Sequence, residues 1–192
     1  MIEKNHVLAD WYQAEWLVLF AVWLIGAAGS KPTVRRESAL LRIRHVGLLA
    51  LAALLLFRPA IWGPLDVRFL PESWAVGIFG LVLSSLGSGF AIWARLILGR
   101  NWSGTVTVKA DHQLICRGPY RLVRHPIYSG VLLAMLGNAI GYGRLPCLLS
   151  VPIAFLALWV KSRTEEQFMR EQFGAQYQQY QQTVNAIIPG LL

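Results

Sequence analysis

Residues 74–94 read WAVGIFGLVLSSLGSGFAIWA, 21 consecutive positions without a charge. A helix rises about 1.5 Å per residue and a bilayer's hydrocarbon core is about 30 Å thick, so about 20 such residues cross it. Gly77, Gly80, Gly87 and Gly89, with Ser84, Ser85 and Ser88, are small residues of the kind that let helices approach closely in lipid. This stretch predicts a transmembrane helix, and the chain on either side repeats the theme.

Upstream, an apolar run from Trp16 to Ala28 is preceded by Glu3, Asp10 and Glu15. A signal peptide wants net positive charge there, so a retained span is expected. His45 to Trp62 is the second run, broken only by Arg58 near its end. Downstream, Ile127 to Tyr142 and Leu145 to Val160 are a fourth and a fifth, with Arg144 as the only charge between Ile127 and Val160. As one helix they would measure about 50 Å, too long for the core. Gly141-Tyr142-Gly143-Arg144-Leu145-Pro146 supplies the break, and a tight helical hairpin is predicted. From Lys161 to Gln182 the chain is polar and amphipathic, with Glu165, Phe168, Met169, Phe173, Tyr177 and Tyr180 on one face. Gly174 falls inside that pattern. Thr105 to Val108 is β-branched and reads as briefly extended, without a sheet.

The chain of 192 residues is 55% hydrophobic and 15% charged, against about 25% charged in a soluble domain. Its net charge of +8 has no basic–aromatic interleaving on a soluble module, so nucleic acid is not an expected partner. Topology explains the charge better. With five spans, one side holds 14 of the 18 Lys and Arg residues, in the 30–44 loop, the 95–125 loop and the C-terminal segment. That side is expected to be cytoplasmic. If the hairpin does not cross fully, the count falls to four and the side is unchanged. Cys116 and Cys147 fall on opposite sides of a predicted span and offer no metal-ligand spacing. His112 and His125 lack a third ligand on their stretch apart from Cys116, so no metal is expected.

Four polar clusters share the basic side: Arg95, Arg100 and Asn101; Asp111, His112 and Gln113; Tyr120 to Tyr128; and Lys161, Arg163, Glu165 and Glu166. The third lies in Gly118-Pro-Tyr-Arg-Leu-Val-Arg-His-Pro-Ile-Tyr-Ser-Gly130, where two prolines stiffen the backbone and disfavour helix at the residue before each. A rigid polar loop thus stands at the mouth of an apolar region. Adjacent helical residues point about 100° apart, so only one of Glu165 and Glu166 is expected to face it, and Glu165 shares the face of Phe168 and Met169.

This block, followed by Arg163-Thr-Glu-Glu and Phe173-Gly-Ala-Gln-Tyr-Gln-Gln-Tyr180, resembles the isoprenylcysteine carboxyl methyltransferase family and its bacterial relatives. The upstream His112-Gln113-Leu114-Ile115 is similar to the family's His-x-Leu-Val. The match covers about Leu98 to Pro189; the N-terminal half shows only hydropathy. The resemblance implies a membrane enzyme using S-adenosylmethionine. It implies cofactor contacts at His112, Gln113, Leu114, Ile115, Tyr120, His125, Pro126, Ile127, Tyr128 and Glu165, with Arg124 beside the reacting groups. Lys161 stands where many relatives carry an Arg thought to meet the substrate carboxylate, and Arg163 lies two residues on. Thr183-Val184-Asn185 replaces a family Arg-Val-Pro.

The residue types suit that cofactor: a glutamate for its α-ammonium, aromatics for adenine or sulfonium, Arg and His for its carboxylate. Transfer to an ionised carboxylate is in-line displacement, so the protein's task is alignment and exclusion of water. An amine acceptor would need a base, with Glu166 or His125 as candidates. The expectation is an all-α polytopic integral membrane protein. Residues 1–98 would carry three spans. Residues 99–192 would carry the methyltransferase motif loop, the hairpin and a cytoplasmic amphipathic helix. The acceptor would be a lipophilic carboxylate of the isoprenylcysteine type entering laterally from the lipid bilayer. A phospholipid amine or another hydrophobic small molecule is the alternative acceptor, and a non-catalytic scaffold or transport subunit the alternative class. Oligomeric state is left open: the small-residue face at 77–89 could pack within the chain or against a copy of itself.

Overall fold

The computed structural model describes residues 2–28, 33–99, 107–109 and 114–191. Six helices carry them: α1 (Ile2–Ala28), α2 (Ala39–Phe57), α3 (Trp74–Leu98), α4 (Pro126–Tyr142), α5 (Leu145–Phe173) and α6 (Ala175–Thr183). Two short strands, β1 (Thr33–Arg36) and β2 (Thr107–Lys109), pair antiparallel with Arg36 opposite Thr107. The described part of the β-branched run is therefore extended, as expected, but it also finds a partner in the basic loop after α1, which sequence reading did not foresee.

Local chemistry sets the helix limits. The hydroxyls of Ser38 and Ser73 accept from Leu41 N and Val76 N, each at 3.3 Å, and start α2 and α3. Pro126 opens α4, and Pro146 sits in the first turn of α5, where a missing N–H costs nothing. The predicted hairpin turns at Gly143, whose φ of 62° is left-handed. Arg144 Nη1 meets Asp66 Oδ2 at 2.6 Å, and Phe69 N donates to Gly143 O at 2.9 Å, so the 58–73 loop clasps this turn. The fifth apolar run and the start of the amphipathic segment form one 29-residue helix, which ends at Gly174 with φ 51°. Gly174 is thus a true break between α5 and α6.

The small-residue face of α3 packs within the chain, against α4. A Cβ on Gly87 would lie 2.4 Å from Ala134 N, and one on Gly137 2.4 Å from Ser84 N. Gly80 and Gly130 are equally tight against Gly137 O and Ala91 N. Backbone meets backbone along this seam, as small residues permit in lipid. Helix α1 also lies against α3 and α4: Tyr12 OH donates to Gly77 O at 2.8 Å, and Ser84 OH donates to Glu15 Oε2 at 2.5 Å. Asn138 donates to Ser84 Oγ at 2.7 Å and accepts from Trp16 Nε1 at 3.1 Å. Buried polar groups thereby find partners between helices rather than facing hydrocarbon.

Helix α2 runs along α5, and Ala52, Leu56, Met135, Ala139, Cys147 and Ala154 form the core between α2, α4 and α5. Apolar side chains such as Phe20, Ile78, Phe79, Leu86 and Leu156 stay exposed on the outer faces. Among the described residues, α2, α3 and α5 are long and apolar enough to cross a membrane, and α4 is a shorter apolar helix. The fold is that of an all-helical polytopic membrane protein.

Candidate active site

The proline-bounded loop comes together with the polar part of α5 at one end of the bundle. Gly118–Arg121 forms a 3-10 turn against the end of α3, with Tyr120 OH 3.4 Å from Ala94 O. The residues before α4 have no helical partners for their N–H groups, and buried backbone donors must find acceptors. The returning C-terminal segment supplies them. Arg124 N donates to Asn185 O at 2.8 Å and His125 N to Ala186 O at 2.9 Å. Ser129 OH reaches Ile187 O, and Tyr180 OH from α6 donates to Tyr120 O at 2.5 Å. Ile187 is 1% exposed and packs with Tyr128 and Leu158. The tail is a strap across the loop.

At the centre, one imidazole joins two adjacent glutamates of α5. His125 Nδ1 lies 3.4 Å from Glu165 Oε2, and Nε2 lies 3.2 Å from Glu166 Oε1. The expectation that only Glu165 faces the loop is corrected. The two side chains do diverge, but the His125 ring spans the gap with a nitrogen at each edge, and Arg124 adds a second hold on Glu166. Arg124 Nη2 and Nε stand 2.7 and 2.8 Å from Glu166 Oε1, while Nη1 donates to the carbonyls of Val184 and Gln181. Gln181 Nε2 gives Glu166 Oε2 a further bond at 3.0 Å. Tyr128 OH donates to Glu165 Oε1 at 2.6 Å, and its ring stacks on His125 at 5.3 Å with planes 3° apart.

These contacts decide the charges. Burial pushes His125 down, but hydrogen bonds and charge from Glu165 and Glu166 lift its pKa above the ordinary 6.5. Past Val160, where the apolar run of α5 ends, the same balance holds in reverse. Burial would raise Glu166, yet His125 and Arg124 hold it down at about 2. Burial is likewise overcome at Glu165 by His125, Lys161 and Tyr128, which keep it below the carboxylate norm. Glu166 is sealed at 1% side-chain exposure, whereas Glu165 keeps 24%.

Of the other anticipated residues, Lys161 and Arg163 border this core. Lys161 is buried, with Nζ over the Tyr128 ring at 5.4 Å from its centroid. Arg163 is exposed, stacks over Trp159 at 4.6 Å and touches Glu166 Oε2 at 3.8 Å. Pro126 is buried and Ile127 half-buried at the start of α4. Leu114 and Ile115 are half-buried just before the loop. His112 and Gln113 lie outside the described residues. Sequence reading missed Glu166 as the partner of Arg124, and missed the strap. Glu166 was visible as the second acidic residue of Arg163-Thr-Glu-Glu; the strap offered only an apolar Ile187-Ile188-Pro189.

Residues 75–176, just over half the chain, match the family described as phospholipid methyltransferase. A probable protein-S-isoprenylcysteine O-methyltransferase of Oryza sativa subsp. indica is 31% identical over 93% of this chain and 95% of its own length. Protein-S-isoprenylcysteine O-methyltransferase B of Arabidopsis thaliana is 28% identical over 89% of this chain and 84% of its own. Among solved structures, the eukaryotic intramembrane Ras methyltransferase isoprenylcysteine carboxyl methyltransferase superposes with a TM-score of 0.51 and 27% identity. That match covers 82% of this chain and 55% of the solved one. The fold and site thus define a membrane methyltransferase. The chain belongs to the isoprenylcysteine carboxyl methyltransferase family.

Proposed function

We propose that this enzyme transfers a methyl group from S-adenosylmethionine to the carboxylate of an isoprenylcysteine-type acceptor, with the cofactor held by the loop and the acceptor reaching it from the bilayer. The observation that carries the reading is Glu165: an ionised, partly exposed carboxylate fixed by Tyr128 and His125 beside a stacked aromatic pair. That donor set fits a ligand with an α-ammonium and a sulfonium, since carboxylate and aromatic faces both attract cations. When bound, such a donor supplies an activated methyl. The protein's share is alignment and a dry site. Tyr120, Leu114, Ile115, Pro126 and Ile127 would line the nucleoside side, with His112 and Gln113 completing it.

Lys161 would meet the acceptor carboxylate, because its ammonium stands over the same Tyr128 ring that borders the cofactor group. Arg124 would stand next to the reacting groups and act by holding Glu166 and the strap, since Nε, Nη1 and Nη2 all meet protein acceptors. Arg163, at the rim, would steer anionic groups inward. The relatives' names support an isoprenylcysteine acceptor. The excess of Lys and Arg on this end supports a cytoplasmic site.

Calorimetry with S-adenosylhomocysteine on detergent-purified protein tests the cofactor half: micromolar binding is expected, lost by at least about tenfold in Glu165→Gln, the cost of one charge-assisted contact. Labelled-methyl transfer tests the acceptor half, with a prenylcysteine and phosphatidylethanolamine offered side by side. Methylation of the amine alone would replace the carboxylate reading, and absence of nucleoside binding would remove both.

A further inference from the structure

His125 holds a carboxylate at each ring nitrogen: Glu165 Oε2 is 3.4 Å from Nδ1, and Glu166 Oε1 is 3.2 Å from Nε2. A neutral imidazole carries one N–H, and its other nitrogen presents a lone pair. Between two ionised glutamates, that lone pair would point at a carboxylate oxygen and repel it. Both nitrogens therefore donate, which makes the ring an imidazolium. One of its faces is covered by Tyr128, and the side chain is 9% exposed. The other groups around it are equally committed. Glu166 accepts from Arg124, His125 and Gln181. Glu165 accepts from Tyr128 OH at 2.6 Å, with His125 on its other oxygen. Lys161 lies with its ammonium over the Tyr128 ring. From α6, Tyr177 is buried, and burial raises its pKa well above the phenol norm. From α2, His45 is sealed beside Glu37. A general base works best with a pKa near the working pH, and carboxylates held by several donors lie far below it.

We infer that His125 is a positioning cation that holds Glu165 and Glu166 apart, and that the site has, among its described residues, no base with which to activate an acceptor. This rests on the methyl-transfer reading above and narrows its acceptor by chemistry. The acceptor has to arrive with its lone pair already free, as a carboxylate does. A carboxylate oxygen then bonds to the methyl carbon as the carbon–sulfur bond of the sulfonium donor breaks. The bonding pair stays on sulfur, and no proton moves. A protonated amine has no such pair until it loses a proton, and no described group is free to take it. The geometry favours the carboxylate over the phospholipid amine.

The sign of a pH profile tests this on the unaltered full chain in detergent. An imidazolium that fixes Glu165 makes affinity for S-adenosylhomocysteine fall as pH rises through the raised folded value, above 6.5. Turnover of N-acetyl-S-farnesylcysteine at saturating S-adenosylmethionine should stay level over the same range. A catalytic base at His125 would give the opposite, turnover that climbs with pH, and would overturn the inference. Farnesylamine should be methylated at least about 100-fold more slowly at neutral pH, its rate rising about tenfold per pH unit toward the amine's own value of about 10. A plateau in that rate near neutrality would reveal a base, His112 included, and would also overturn it. His125→Gln should bind S-adenosylhomocysteine about tenfold more weakly below pH 6.5 and lose the pH dependence seen in the unaltered protein. An unchanged pH dependence in that variant contradicts the assignment. Absence of nucleoside binding by the unaltered protein removes the methyl-transfer reading and this inference together. A plateau with the amine removes the inference alone.

Discussion

Arg124 and Glu166 meet through two guanidinium nitrogens on one carboxylate oxygen, at 2.7 and 2.8 Å, across 42 residues of sequence. The pair is nearly sealed, with side chains 10% and 1% exposed. Each partner also holds the strap: Arg124 through the carbonyls of Val184 and Gln181, Glu166 through the Gln181 amide.

Removing Arg124 takes from Glu166 its closest cation and leaves it His125 and Gln181. Arg124→Ala is expected to cost about 3 kcal/mol, the usual penalty for leaving a buried charge without its mate. Thermal melting in detergent measures this, and Arg124→Lys should recover only part of it, since an ammonium cannot fork between carboxylate and carbonyls.

Two groups predict how stability follows pH. The folded pKa of His125 is raised, so its stabilisation is full below the ordinary 6.5 and lost as pH rises through the folded value. Glu166 is depressed to about 2, so its contribution is full above the ordinary 4.5 and lost as pH falls toward 2. Melting temperature should therefore plateau between 4.5 and 6.5 and decline on both sides. His125→Gln should flatten the alkaline decline and shrink the acid one to the part that Arg124 sustains.

The α3–α4 seam yields a matched pair of substitutions. A Cβ on Gly87 would sit 2.4 Å from Ala134 N, whereas one on Gly89 would meet nothing within 4 Å. Gly87→Ala should destabilise by about 1–3 kcal/mol through overpacking. Gly89→Ala should be neutral or stabilising by up to about 1 kcal/mol, from helix propensity alone. Equal melting temperatures for the two would contradict the close approach.

Ile187 anchors the strap from within the Tyr128 cluster. Ile187→Ala should cost about 2–4 kcal/mol, as truncation of a buried aliphatic does. Its sharper signature is local: faster proteolysis after Thr183 and a weaker S-adenosylhomocysteine affinity, because Arg124 N and His125 N lose their acceptors.

Much of this was legible beforehand, and the reason is periodicity and punctuation. Trp74–Ala94, the hairpin at Gly143 and the meeting of His125 with Glu165 follow from charge-free runs, glycine and proline placement, and the Gly118–Gly130 block. Glu166 was misjudged because helix geometry alone treats the loop as a point, while an imidazole has two working edges. The strap was invisible because its bonds run from backbone carbonyls, which any sequence carries. The partner of β2 was missed for the same reason.

The glycine seam also decides how the bundle can breathe. Two rods whose backbones touch along their length have no side-chain cushion to shear through, so α3 and α4 must tilt as a single plank.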